Sequence, residues 1–85
     1  MSMYGMNGIP LEAQGLYRRG VELSDQMKYE AAAKYLKQAV IIAPRFGGAY
    51  RELGRCFEQL GRDSDAQDCL QKFLLTDRSL PTARA

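Results

Sequence analysis

Histidine and tryptophan are absent from this chain of 85 residues, and cysteine occurs only twice, at Cys56 and Cys69. Histidine is the commonest general base and the commonest metal ligand, so its absence argues against most acid–base catalysis and against metal sites. The serines have no histidine to activate them. Two cysteines are too few for the disulfide scaffold of a small secreted protein. The sequence therefore predicts a non-catalytic protein without a cofactor or a metal.

Long apolar runs and a strong charge of one sign are also missing. No segment approaches the roughly 18 apolar residues of a membrane span. The N-terminal segment MSMYGMNGIP has neither the basic start nor the apolar centre of a secretion signal. Twelve Lys and Arg against ten Asp and Glu give a net charge of +2, without the dense basic stripe of a nucleic-acid binder. We therefore expect a cytoplasmic protein that binds neither nucleic acid nor membranes.

The chain does contain four stretches in which apolar residues recur with the period of a helix. Hydrophobic residues make up 46% and charged residues 26%, which is typical of a globular protein. The short turns between the stretches favour antiparallel helical hairpins. The predicted helices cover residues 11–25, 29–43, 49–60 and 63 or 64 to about 77.

Residues with special backbone preferences mark the ends of these helices. Pro44 ends the second predicted helix, and Gly61 is a natural C-terminal cap for the third. Asp63 or Ser64 is expected to cap the start of the fourth helix. Ser64 and Gln67 have the spacing of a capping box, which supports that start.

The two halves of the chain match one another at an offset of 34 residues without a gap. Residues 13–46 lie over residues 47–80 with large, small and apolar residues in register. The matched glycine lets two helices approach closely, and the matched alanine receives the bulk of the partner helix. The pairs are Leu16 with Tyr50, Gly20 with Gly54, Leu23 with Phe57, Ala32 with Ala66, and Leu36 with Leu70.

This pattern resembles the tetratricopeptide repeat family, in which a 34-residue helical hairpin is repeated in tandem. The chain departs from the family pattern at Arg19, which stands where leucine is usual. Asp63 and Arg78 replace the Tyr29 and Pro44 of the first copy. Terminal repeats are often atypical because they face water. A generic four-helix bundle is the alternative, but it would not explain the matched glycines and alanines.

The resemblance implies an all-α fold of two antiparallel helix-turn-helix hairpins, stacked as a short right-handed α-solenoid. The two-repeat domain would cover residues 11–80, with repeats at 13–46 and 47–80. Residues 1–10 would form an N-terminal arm and residues 81–85 a C-terminal tail.

The resemblance also implies a non-catalytic protein-interaction module whose first helices line a concave groove. Arg51 and Arg55 share a helix face and suit a carboxylate, while Tyr17 would offer an apolar anchor. An acidic peptide or helix of a partner protein is therefore the expected ligand. The competing interpretation is a solvated face on which Glu52 and Glu58 balance Arg55. The expected groove residues are Gln14, Tyr17, Val21, Ser24, Gly48, Arg51, Arg55 and Glu58.

The alternative function is that of a structural subunit that assembles with itself. Two repeats are fewer than the usual minimum of about three, because each repeat buries its face against the next. An uncovered apolar face commonly marks an interaction site. One neighbour cannot cover all the apolar side chains of the uncapped C-terminal hairpin, which include Leu74. We therefore expect a homodimer contact formed by Phe57, Leu60, Phe73 and Leu75. A partner protein, or further repeats of a longer array, are the other ways to cover this face.

The two cysteines lie on opposite arms of the second predicted hairpin. Buried thiols behave as small hydrophobic groups, so packing in the core is the favoured role of Cys56 and Cys69. A disulfide between them is the alternative. A metal site would need further ligands, which the sequence does not offer.

Overall fold

The computed structural model describes residues 8–76, and most of them lie in four α-helices. No β-strand occurs in this part of the chain, which confirms the all-α prediction. The predicted tail 81–85, most of the predicted arm 1–10 and the end of the second repeat lie outside the described residues. The helices are α1 (Leu11–Asp25), α2 (Tyr29–Ile42), α3 (Gly47–Gln59) and α4 (Asp63–Thr76).

The helices pack as two hairpins, α1 with α2 and α3 with α4. The second hairpin is antiparallel, because Gly47 at the start of α3 lies beside Phe73 and Thr76 at the end of α4. The hairpins meet mainly through α2 and α3, whereas α1 and α3 touch only slightly. The stacked pair of hairpins expected from the repeat is therefore present.

The core is built largely from small side chains. Leu36 and Cys56 are the largest side chains that are fully buried. Small side chains allow the helix axes to approach closely, so there is little room for a larger side chain at the positions between the helices. The buried alanines are Ala13, Ala32, Ala33, Ala39, Ala43, Ala49 and Ala66.

Helix α3 ends in a Schellman motif, as the predicted cap at Gly61 requires. The Arg62 N–H donates to the Phe57 carbonyl oxygen at 2.8 Å, and the Gly61 N–H donates to the Glu58 carbonyl oxygen at 3.1 Å. Gly61 has a φ of 76°, which glycine adopts without steric cost.

Helix α1 ends in the same motif with a different residue at the left-handed position. The Lys28 N–H donates to the Leu23 carbonyl oxygen at 2.9 Å, and the Met27 N–H donates to that of Ser24 at 2.8 Å. Met27, which matches Gly61 in the repeat, has a φ of 63°. A side chain in this conformation costs roughly 1 kcal/mol or more. The first repeat therefore contains local strain that the second repeat lacks.

Met27→Gly is expected to raise the free energy of unfolding by about 0.5–1 kcal/mol, because relief of strain outweighs the added freedom of the unfolded chain. Met27 is exposed, so little packing is lost. Met27→Ala is the control and should leave stability nearly unchanged, whereas Gly61→Ala should lower it by about 1 kcal/mol. Urea unfolding followed by circular dichroism measures all three. A Met27→Gly variant less stable than Met27→Ala would contradict the assignment of strain.

The starts of α3 and α4 differ from the sequence prediction. Helix α3 begins at Gly47 rather than at Ala49, so the two glycines lie in its first turn instead of in a loop. Helix α4 already includes Asp63, and the Ala66 N–H donates to the Arg62 carbonyl oxygen at 3.0 Å. The prediction that Asp63 or Ser64 is the cap is therefore wrong. The carboxylate of Asp63 instead lies in the first turn, where the helix dipole favours negative charge.

Candidate functional site

Tyr17 stands at the junction of the two hairpins. Its ring lies against the Phe46 ring, with the centroids 4.9 Å apart and the planes at 45°. A Cβ atom at Gly48 would lie 3.8 Å from the Tyr17 hydroxyl oxygen, so the start of α3 also contacts the ring. Tyr17 is half-buried. These contacts hold one edge of an aromatic side chain in place while the other edge faces solvent.

Helices α1 and α3 run side by side in the same direction. Tyr17 contacts the start of α3, and Ser24, two turns later on α1, lies close to the Cys56 thiol farther along α3. The matching faces of these two helices form the candidate site. We call it the α1–α3 surface and define it by Tyr17, Val21 and Arg51.

Charged groups surround the Tyr17 phenol. Burial raises the pKa of Tyr17, the negative charge of Glu52 raises it further, and the positive charge of Arg51 opposes the rise. The phenol therefore remains protonated at neutral pH and acts as a hydrogen-bond donor. The Arg51 side chain is exposed, and it forms no ion pair with any other residue of the segment 8–76.

Arg55 has a different environment from Arg51. Its Nη1 atom lies 3.3 Å from Oε2 of Glu52, whose side chain is largely buried. The pair is partly buried, because the Arg55 side chain is itself largely exposed, and it engages the Arg55 guanidinium within the protein. The sequence predicted that Arg51 and Arg55 act together on a ligand. Of these two, only Arg51 has no ion-pair partner among residues 8–76.

Two of the predicted groove residues are not accessible. Gln14 and Ser24 are both buried. The Gln14 Nε2 atom donates to the Ile9 carbonyl oxygen at 2.8 Å, which fixes the side chain under the residues preceding α1. Ser24 faces the Cys56 thiol across the hairpin interface. The expectation that both side chains line an open groove is therefore corrected.

An open depression on α1 contains the remaining apolar part of the site. Val21 and Tyr17 line it together with Arg18 and Asp25, which the sequence prediction missed. Both residues could have been predicted from their spacing, because Arg18, Val21 and Asp25 follow one helix face at intervals of three and four. Glu58 is exposed on α3.

The predicted self-association face needs a correction at Phe57. Phe57 is buried in the core, with the Lys37 ammonium 5.7 Å and the Arg62 guanidinium 4.9 Å from its ring centroid. It matches Leu23 of the first repeat, which is buried as well. Phe57 therefore stabilises the second hairpin and is not available to a partner.

The other members of that predicted face differ in exposure. Leu60 and Phe73 are partly buried, whereas Leu75 is exposed. Leu74 of α4 is exposed as well, and so is Leu70, which the sequence prediction did not include. The repeat could have indicated Leu70, because it matches the core residue Leu36.

Both cysteines are free and buried, as expected for core residues. Burial is the main cause that raises the pKa of Cys56 and of Cys69, so neither thiol is activated. Within residues 8–76 no group of three His, Cys, Asp or Glu residues gathers in a way that could hold a metal ion. No helix in this segment is both long enough and apolar enough to span a membrane.

Comparison with protein families identifies the repeat independently. A family model described as tetratricopeptide repeat matches residues 23–85, well over half of the chain. The matched range starts near the end of α1 and includes α2, α3 and α4. Searches of curated proteins and of solved structures gave no significant match.

Proposed function

This chain belongs to the tetratricopeptide repeat family, and we propose that its α1–α3 surface binds an acidic segment of a partner protein. Members of the family are in general non-catalytic protein-interaction modules. The observation that carries the proposal is the exposed guanidinium of Arg51, which has no internal ion-pair partner in the described segment and lies within electrostatic range of the Tyr17 phenol.

The Tyr17 ring supports binding because it is already held in place by Phe46 and Gly48. An aromatic side chain that is fixed before binding loses little conformational freedom when a ligand packs on it. Val21 extends the apolar area along α1. We therefore propose that a large apolar residue of the partner packs beside Tyr17.

The arrangement of charge on the surface favours one orientation of the ligand. Arg51 lies near the start of α3, whereas Asp25 and Glu58 lie in the last turns of α1 and α3. Because α1 and α3 are parallel, positive charge faces one end of the ligand and negative charge the other. An acidic residue is attracted to Arg51, where a guanidinium can bind a carboxylate in bidentate fashion. The same residue is repelled from the end that carries Asp25 and Glu58.

The proposal is tested by selecting peptides from a random display library on the full chain. The best peptide is then titrated by fluorescence anisotropy. We expect selected peptides to combine an acidic residue with a nearby large apolar one. Arg51→Glu should weaken binding at least about tenfold, because hydrogen bonds to charged groups contribute roughly 1.5–3 kcal/mol. Tyr17→Ala should weaken it by a similar factor, since it removes the aromatic anchor.

Lys34→Glu is the matched control. Lys34 is an exposed residue of α2, and its substitution makes the same change in charge away from the α1–α3 surface. This variant should alter the affinity by less than about twofold. Equal losses for Arg51→Glu and Lys34→Glu would show that only net charge matters and would refute the site. Arg55 is unsuitable for a charge reversal, because Glu52 would lose its partner.

A further inference from the structure

The internal repeat identifies which apolar residues of α4 lack a neighbour. Leu36 of α2 is 0% exposed, whereas the matching Leu70 of α4 is 47% exposed. Val40 of α2 is partly buried, and its match Leu74 is 53% exposed. Helix α3 packs on α2, and no described element packs on α4 from the corresponding side. The difference between the repeats therefore marks the position of a missing neighbour.

The end face is the surface of α4 formed by Gln67, Leu70 and Leu74. Gln67 belongs to it because it matches Ala33, which is buried in the first repeat. These three residues follow one side of the helix at spacings of three and four.

Leu75 is exposed for another reason and does not belong to the end face. It is 72% exposed, but the matching residue Ile41 is 68% exposed although α3 covers its repeat. Leu75 and Ile41 are therefore exposed to a similar extent whether or not a described helix packs on their repeat. Leu75 is therefore a natural control for the end face, with the same side chain and a similar exposure.

The opposite end of the molecule has a different chemistry. Leu53 and Cys56 of α3 are buried, but the matching residues of α1 are Arg19 and Glu22. Arg19 Nη1 and Glu22 Oε1 form an exposed ion pair at 3.1 Å. Stacking a second copy head to tail would bury these charges against the apolar end face. Such burial is costly, so the start of the first hairpin does not match the end face.

We propose that the end face is the contact of a homodimer in which two copies join end face to end face. Gln67, Leu70 and Leu74 carry no charge, and Asp65, Asp68 and Lys72 lie on other sides of α4. Asp63 follows the same side of the helix as the end face, one turn before Gln67, and so places one negative charge at its edge. An uncharged apolar surface is matched by a surface of the same kind, and a second end face provides one.

A contact between identical surfaces is closed, so assembly stops at two copies. The apolar area is small, and we expect a dissociation constant on the order of 100 μM. This contact is separate from the α1–α3 surface, so either proposal can fail without the other.

The test is sedimentation velocity of the full chain over a dilution series from micromolar to millimolar concentrations. The weight-average mass should rise from 9.6 kDa toward twice that value and no further. Leu74→Asp should weaken the dimer at least about thirtyfold, because the interface would bury a carboxylate without a partner. Leu75→Asp should change the dissociation constant by less than about threefold. Circular dichroism shows whether each variant remains folded, and Leu70→Asp repeats the test at a second position.

Several results would overturn the proposal. A monomer at every concentration would mean that the end face is free, or is covered by residues 77–85 or by a different protein. Equal weakening by Leu74→Asp and Leu75→Asp would mean that added charge, and not the end face, controls association. Species that grow beyond a dimer, or a dimer broken by Arg19→Glu, would indicate head-to-tail stacking.

Discussion

Gly20→Ala is expected to lower the free energy of unfolding by about 2 kcal/mol, whereas Gly54→Ala should leave it unchanged or raise it. A Cβ atom at Gly20 would lie 2.6 Å from Leu36 Cγ and 2.8 Å from Leu36 Cδ2, far inside van der Waals contact. It would also lie 3.3 Å from the Ala32 carbonyl oxygen. Leu36 is fully buried, so its side chain can give way only by displacing its neighbours in a closely packed core. The first hairpin must therefore open to accept the methyl group.

Gly54 occupies the same position in the second repeat and provides the matched control. A Cβ atom there would lie 3.4 Å from Cys69 Cβ and 3.7 Å from the Ala66 carbonyl oxygen, which are ordinary contacts. Alanine also favours a helix by up to about 1 kcal/mol over glycine. Urea unfolding monitored by circular dichroism compares the two variants. Similar stability changes of the same sign would show that the two hairpins are packed equally tightly, contrary to the structure.

Leu36→Ala should be more damaging, with a loss of about 3–4 kcal/mol, because it leaves a cavity among rigid neighbours. A chain of this length has a total stability of roughly 4–13 kcal/mol, so the variant approaches the limit of folding. Leu70→Ala makes the identical chemical change at a half-exposed position and should cost about 1 kcal/mol or less. Calorimetry or urea unfolding measures both variants. Equal losses would mean that α4 is covered in solution to the same extent as α2.

The contact between Gly20 and Leu36 can be examined directly with a double-mutant cycle. In a Leu36→Ala background the methyl group of Gly20→Ala enters the cavity instead of colliding with a side chain. The second substitution should therefore cost less than it does alone, or should stabilise the protein. Independent, additive effects would indicate that the two residues are not in contact.

The helices and their order could be predicted from the sequence because the signals are local. The periodicity of apolar residues located all four helices, and the glycine at position 61 marked the end of α3. The matched glycines and alanines indicated two hairpins. The left-handed conformation of Met27 was also within reach, since the repeat aligns it with Gly61, but methionine carries no local preference for that conformation.

The accessibility of individual side chains could not be predicted in the same way. Gln14 is buried because the chain before α1 folds back so that Ile9 accepts its hydrogen bond. Ser24 is buried because α3 lies over that part of α1. Both outcomes depend on the position of segments that a helical wheel does not include. The environment of Arg55 was partly predictable, because Glu52 is three residues away, but the burial of Glu52 was not.

The packing of the two hairpins bears on how they could move relative to each other. Helix α3 packs mainly on α2 and makes few contacts with α1. Most of the interface between the hairpins therefore lies between α2 and α3. A rotation of one hairpin against the other about the α2–α3 interface would change the separation of Tyr17, on α1, and Arg51, on α3. A ligand that contacts both residues would oppose this rotation. The affinity of such a ligand would then depend on how easily the hairpins rotate against each other, as well as on the groups that the ligand contacts.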